Sequence, residues 1–170
     1  TEICKFTTFD KFCEENSIEN IDFVKIDVQG AELDVFQGAS KTLQKVLKIV
    51  CEVEFIPIYE NQPLFENVCN YLIKYNLMFN KFLGLAGRAL RPISFNNNPN
   101  LPSQHIWTDA VFIHHIQKIH TLNDEQLIKL SLLSCVYNTL DLTFFCLLEY
   151  DKRHSTSIAK EWMDKITYMK

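Results

Sequence analysis

The chain has 170 residues, 47% hydrophobic and 22% charged, with a formal net charge of -4. That balance belongs to a soluble globular domain with a sizeable core and excludes disorder. The seventeen Lys and Arg are scattered, which excludes a nucleic-acid surface built on a basic stripe.

No signal or transit peptide is visible at the start, and with Thr as its first residue the sequence reads as processed or as a piece of something longer. In chain order, "ICKFTT" reads as a short edge strand, and "TTFDKFCEEN" as a helix capped by Thr7 or Thr8. Residues 22 to 28 form an apolar strand. Gly30 then opens a helix with Leu33, Phe36, Leu43 and Leu47 at helical spacing and a break at Gly38. "LKIVCEVEFI" is the next strand, stopped by Pro57, and "QPLFENVCNYLIKYN" is a helix with Leu64, Phe65, Val68, Leu72 and Tyr75 on one face. "LMFNKFLGL" and "IWTDAVFIHH" are strands joined by "AGRALRPISFNNNPNLPSQ", with no helix between them, which implies an antiparallel hairpin.

From "TLNDEQLIKL" onward the pattern is helical, with Asn123 capping one helix, Asn138 or Thr139 a second, and Ser155 to Ser157 a third. The apolar stretch "LIKLSLLSCVYNTLDLTFFCLL" holds Asn138, Thr139 and Asp141 near its middle, so it reads as a buried helical hairpin rather than a membrane span. The expected architecture is α/β: a mostly parallel sheet of order β-α-β-α-β-β ending in an antiparallel hairpin over residues 1–116, then a helical tail over 121–170. The six cysteines (Cys4, Cys13, Cys51, Cys69, Cys135, Cys146) include no Cys-x-x-Cys pair. They point to buried thiols in a reducing, cytoplasmic setting and to no metal site.

The stretch "IDFVKIDVQGAELDVF" places opposite charges in an apolar strand. Alternation puts Lys25 and Asp27 on one face, and Glu52 and Glu54 together on a face of the next strand. If the two strands pair in parallel, Lys25 meets Glu52 and Asp27 meets Glu54. Lys25 then gains the partner that offsets its desolvation, the alternative being a catalytic lysine. Asp27 stands at the carboxyl end of its strand, where ligands bind in open α/β sheets. Gly30 permits close backbone approach, and the following helix offers free N–H groups. Two carboxylates on one crevice can share a proton, hold a cation or divide acid and base roles. The bland alternative is a helix-capping Asp27 and a solvated Glu54.

These residues carry a resemblance. "NIDFVKIDVQGAELDVFQGA" resembles the motif IDFxKIDVEGAExxVLxGA of FkbM-like methyltransferases, "TTFDKFCEE" is similar to their TTLDxF segment, "EVEFIPIYENQPLF" to EVxFxPLYxGQPLF, and "WTDAVFI" to LWxDALF, over residues 5 to 114. The resemblance implies the C-terminal half of a class I, Rossmann-like fold and an S-adenosylmethionine-dependent transfer of a methyl group to a hydroxyl of a sugar or secondary metabolite. By position, Asp27, Gln29 and Gly30 would border the cofactor and the transferable methyl, and Glu52 and Glu54 would lie on the substrate side; Asp27 and Glu54 are the candidate catalytic groups. Two departures stand out. Gln29 replaces the motif's Glu, and none of the four glycines forms a Gly-x-Gly arrangement, so the half that holds the cofactor is expected elsewhere and residues 1–170 alone are expected to be inactive.

Arg88, Arg91 and His105 lie in or beside the hairpin connection and can receive an anionic substrate or simply be solvated. Tyr59 and Trp107 can stack on a sugar ring or pack at the rim. Asp109 needs a partner if buried. The tail has apolar residues on several helix faces, which calls for burial against the sheet or a second subunit. The competing functional class is therefore a non-catalytic platform whose tail recruits a partner protein.

Overall fold

A computed structural model describes residues 6–92 and 104–167, and the chain divides into two compact units, Thr1–Ile113 and His114–Lys170. The first unit is a mixed sheet with helices. α1 (Phe9–Glu15) begins at Thr8, whose hydroxyl accepts the Lys11 N–H at 3.2 Å. β1 (Phe23–Ile26) is followed by α2 (Glu32–Gln37), which stops at Gly38, and by a 3-10 turn at Thr42–Gln44. β2 (Lys48–Glu54), α3 (Phe65–Leu72), β3 (Leu77–Phe82), β4 (Ala86–Arg88) and β5 (Gln104–His114) complete it. Of the edge strand expected at residues 3–8, positions 6–8 are not in a strand and the rest lies outside the described residues, as does the "FNNNPN" stretch.

The sheet order is β1-β2-β5-β3, with β4 paired to β5. β1 and β2 are adjacent and parallel, as a strand-helix-strand unit requires. β2 with β5 and β4 with β5 are antiparallel. The sheet is thus mixed rather than mostly parallel. The reason is that β5 enters between β2 and β3, so the final hairpin contributes an internal strand.

One sheet face is apolar. Ile26, Ile49, Cys51, Val53, Ala110 and Phe112 bury against Phe36 of α2 and Val68 and Leu72 of α3. Phe65 lies edge-on to Phe79 at 5.1 Å between ring centroids, and Phe79 touches Phe82 at 4.6 Å. Each such ring contributes about 2 kcal/mol by leaving water. The helical spacing of Phe65, Val68 and Leu72 is what turns α3 onto this face. The opposite face of β1, β2 and β5 carries Lys25, Glu52, Glu54, Trp107 and Asp109 by strand alternation.

The second unit is helical: a 3-10 stretch (Ile116–Thr121), then α4 (Asp124–Val136), α5 (Leu140–His154) and α6 (Ile158–Thr167). Asn123 caps α4 as expected, its side chain accepting the Gln126 N–H at 2.8 Å while Gln126 accepts the Asn123 N–H at 3.0 Å. The apolar stretch at 127–148 is a helical hairpin, and no helix among the described residues is long and apolar enough to cross a membrane. Thr139 precedes α5 without a side-chain cap. For α6, Ser157 stands just before the helix, yet its first N–H groups go to Asp151 of α5. That carboxylate accepts Ile158 N at 3.0 Å and Ala159 N at 2.8 Å. Burial pushes the Asp151 carboxyl up, but bonds from Thr156, Ala159 and Ile158 outweigh it and hold the group below its ordinary range. Arg153 ties the start of α4 to α5 through Leu122 O at 2.8 Å and Asp124 at 3.1 Å.

Candidate functional site

The carboxyl ends of β1 and β2 lie side by side, and each runs into a loop that one side chain holds shut. After β1, Gln29 (φ 56) and Gly30 (φ 98) turn the backbone through the left-handed region. Glu32, 3% exposed, returns its carboxylate to that turn: Oε1 accepts Val28 N at 2.8 Å and Oε2 accepts Gly30 N at 3.0 Å. After β2, Gln62 does the same for the loop ending in Asn61 (φ 57), its Oε1 accepting Ile58 N at 2.9 Å and Tyr59 N at 3.1 Å. Asn61 occupies the place where the resembled motif has Gly, and Asn tolerates the left-handed conformation. Glu32 thus takes the Val28 and Gly30 N–H groups of the β1 turn itself.

The two loops touch at Gly30. A Cβ there would stand 2.6 Å from Gln62 Nε2 and 3.2 Å from Tyr59 Cδ2. Asp27 is exposed at the crevice edge, where Gln29 Nε2 donates to Asp27 Oδ1 at 2.8 Å and, more weakly, to Glu52 Oε1 at 3.4 Å. The amide at position 29 thus bridges two carboxylates that a Glu would repel.

Lys25 does not meet Glu52. The register pairs Lys25 with Val50, two residues short of the expected alignment, and its ion pair crosses β2 to Asp109 at 3.7 Å; by the same shift Asp27 falls level with Glu52, so the expected Asp27–Glu54 pairing does not form either. With Lys25 half exposed, that pair is worth no more than about 1 kcal/mol, and the lysine has none of the burial that a depressed, nucleophilic amine needs. Asp109 sits opposite Glu52, and Trp107 opposite Glu54.

Charge accumulates here with one sign. Burial pushes the Glu52 carboxyl up, as do Asp27, Glu32 and Asp109, while Lys25 pulls it down. Glu54, 3% exposed, is pushed up to about 7, first by burial and then by Glu32 and Glu52, against the lowering influence of the Gln62 amide. Glu54 therefore changes protonation near neutral pH, the range in which a carboxylate serves as a general base or acid.

Among the substrate-side residues, Tyr59 is exposed at the Gly30 contact. The Arg88 guanidinium covers the Trp107 ring at 5.1 Å from its centroid. His105 is exposed opposite Gly87, past the irregularity in the β4–β5 register that follows Trp107. Arg91 is exposed in the connection. Among the described residues no group of three or more His, Cys, Asp or Glu is placed to hold a metal ion, and none of the described cysteines is in a disulfide.

The reading of the sequence missed Glu32 and Gln62. The signal for Glu32 was its place two residues after Gly30, within reach of the turn's N–H groups. Gln62 offered less, as one amide in a polar loop.

The model of the methyltransferase FkbM domain matches residues 5–79. The 2-O-methyltransferase NoeI of Sinorhizobium fredii (strain NBRC 101917 / NGR234) is 35% identical over 81 residues, 48% of this chain. The match spans about a third of that relative, 33% of its length. No solved structure matches the chain at a significant level. The family resemblance carried by the motifs thus holds over residues 5–79, which take in Asp27, Gln29, Gly30, Glu52, Glu54 and Tyr59.

Proposed function

With residues 5–79 forming a stretch of the FkbM methyltransferase domain, we propose that the full-length protein is an S-adenosylmethionine-dependent O-methyltransferase acting on a hydroxyl of a sugar or other secondary metabolite. The observation that carries this reading is the cluster of carboxylates at the ends of two adjacent parallel strands, Asp27 level with Glu52 and Glu54 two residues further along β2, with Glu54 pushed up to about 7. The relative's printed activity, a 2-O-methyl transfer, supports oxygen as the acceptor atom.

The residues present fit one end of the cofactor. Asp27, Glu52 and Glu54 crowd negative charge that a sulfonium or ammonium cation would relieve. No Gly-x-Gly loop in these 170 residues matches its ribose and adenine, and on this reading that end would be held by residues outside this sequence. When bound, S-adenosylmethionine supplies an electrophilic methyl on sulfur.

This chain's residues place the acceptor and manage its proton. Tyr59 and Trp107 offer flat faces to a sugar ring, and His105 and Arg88 border its outer side. The ionised Glu54 would take the proton of the acceptor hydroxyl that receives the methyl. Asp27, oriented by the Gln29 amide, would border the cofactor. Positioning does much of the work in such a displacement, because the acceptor oxygen must sit in line with the methyl.

Asp27→Asn in the full-length protein should lower turnover by about 10²-fold, the scale of a positioned acid-base or electrostatic group. Full turnover by the folded variant would remove Asp27 from the assignment. A second reading, an interaction platform, draws on the exposed Leu132 and Val136 of α4. Under it a second copy or another protein covers that face, and neither Asp27 nor Glu54 affects any transfer.

A further inference from the structure

The Gln62 side chain is 9% exposed, and its orientation is set by two backbone donors on its oxygen, from Ile58 and Tyr59. Its nitrogen is thereby turned away from its own loop. Nε2 is buried and has no hydrogen-bond acceptor among the described residues. It is pressed over Gly30, where even a methyl group would collide with it. A buried amide N–H without an acceptor is costly, and it is kept where some state of the protein supplies one.

Resting on the reading of Glu54 as proton acceptor, we propose that Gln62 is a positioning residue for Glu54: its buried Nε2–H receives the Glu54 carboxylate once that group is ionised and holds it for the acceptor hydroxyl. The surroundings leave few other candidates. Glu54 faces Glu32 from α2 and Glu52 from its own strand, both carboxylates, with Trp107 opposite on β5. Asp109 follows on β5 and Asp27 lies near the end of β1; of the cations on that face, Lys25 is engaged with Asp109, Lys48 stands six residues back along β2, and Arg88 lies over the Trp107 ring. An ionised Glu54 is thus ringed by like charge, and Gln62 is the neutral donor turned toward it. The Gln62 amide already lowers the Glu54 pKa while standing short of a formed hydrogen bond, as expected for a donor that closes on the ionised form. Gly30 is the space the amide needs.

The test exchanges the donor without removing the loop clamp. Gln62→Glu keeps an oxygen for the Ile58 and Tyr59 N–H groups but turns an oxygen toward Glu54 where the nitrogen was. Carboxyl carbon-13 resonances are followed against pH in the full-length protein, with Glu54 identified by the resonance lost in Glu54→Gln. The Glu54 midpoint, about 7 in the parent, should rise in Gln62→Glu by roughly one pH unit or more. The acid limb of kcat/KM for methyl transfer should rise with it.

Should Gln62→Glu fail to fold, the exchange Glu54→Gln with Gln62→Glu restores one donor and one acceptor, and recovery of the folded state supports the pairing. A Glu54 midpoint unchanged by Gln62→Glu overturns the proposal, as does an exchange variant no better folded than Gln62→Glu. A shifted midpoint in a protein that transfers no methyl overturns the proposed function and leaves the Gln62–Glu54 pairing standing.

Discussion

Glu54→Gln should stabilise the protein above pH 7 by about 3 kcal/mol and flatten its stability between about pH 5 and pH 8. The folded carboxyl is pushed up to about 7 from an ordinary value of 4.5. Folding therefore favours the protonated form. The stability this provides is complete below the unfolded value, declines as pH rises through the folded one, and is absent above it. Gln has nearly the same shape and no charge to bury beside Glu32 and Glu52. Urea denaturation at the two ends of that range measures the effect, and a parent protein equally stable at both would contradict it. In the same variant, methyl transfer should fall by about 10²-fold or more, since the proton acceptor is gone. A variant that is more stable and less active is what a site strained for function produces.

Gly30→Ala should cost about 3 kcal/mol or more, for two reasons that add. At φ 98 an L side chain is strained whatever the space around it. The new methyl would also stand 2.6 Å from Gln62 Nε2. A Gln terminus usually swings away, but this one is held by the Ile58 and Tyr59 N–H groups, so relief means breaking the loop after β2. Gly38→Ala is the control. Gly38 has φ -82, open to any residue, and a Cβ there meets Thr8 at 3.1 Å. Thermal unfolding of the two variants should show the Gly30 change to be the more damaging by several degrees. Equal losses would mean that the two loops are not locked together at Gly30.

The order of elements was legible because it rests on local signals. Period-2 and period-3.6 apolar spacing, the Thr8 and Asn123 caps and the stop at Gly38 all act within a few residues. The adjacency of β1 and β2 followed from the helix between them. Register was not legible, since alternation is preserved by any shift of two residues. Lys25 therefore found Asp109, on a strand more than eighty positions away, rather than Glu52. The placement of β5 inside the sheet and the short β4 depend equally on distant partners. Asp27, Glu52 and Glu54 could be singled out because charge in an apolar strand demands a reason. Glu32 and Gln62 were harder to single out, because a polar residue in a first helical turn or in a loop is ordinarily solvated, and the fold shows these two turned inward onto backbone N–H groups. The same blindness hid Asp151 as the cap of α6, a bond between helices rather than within one.

The central claim is that Asp27 and Glu54 border a site where a methyl group is moved to oxygen. The most direct measurement incubates the full-length protein with S-adenosylmethionine carrying a carbon-13 methyl and with metabolites extracted from cells lacking its gene, then follows the label by mass spectrometry. A labelled product with the methyl on a hydroxyl oxygen is expected, formed by the parent protein and strongly reduced with Asp27→Asn and with Glu54→Gln. Label on nitrogen, or equal transfer by the parent and both folded variants, would contradict it.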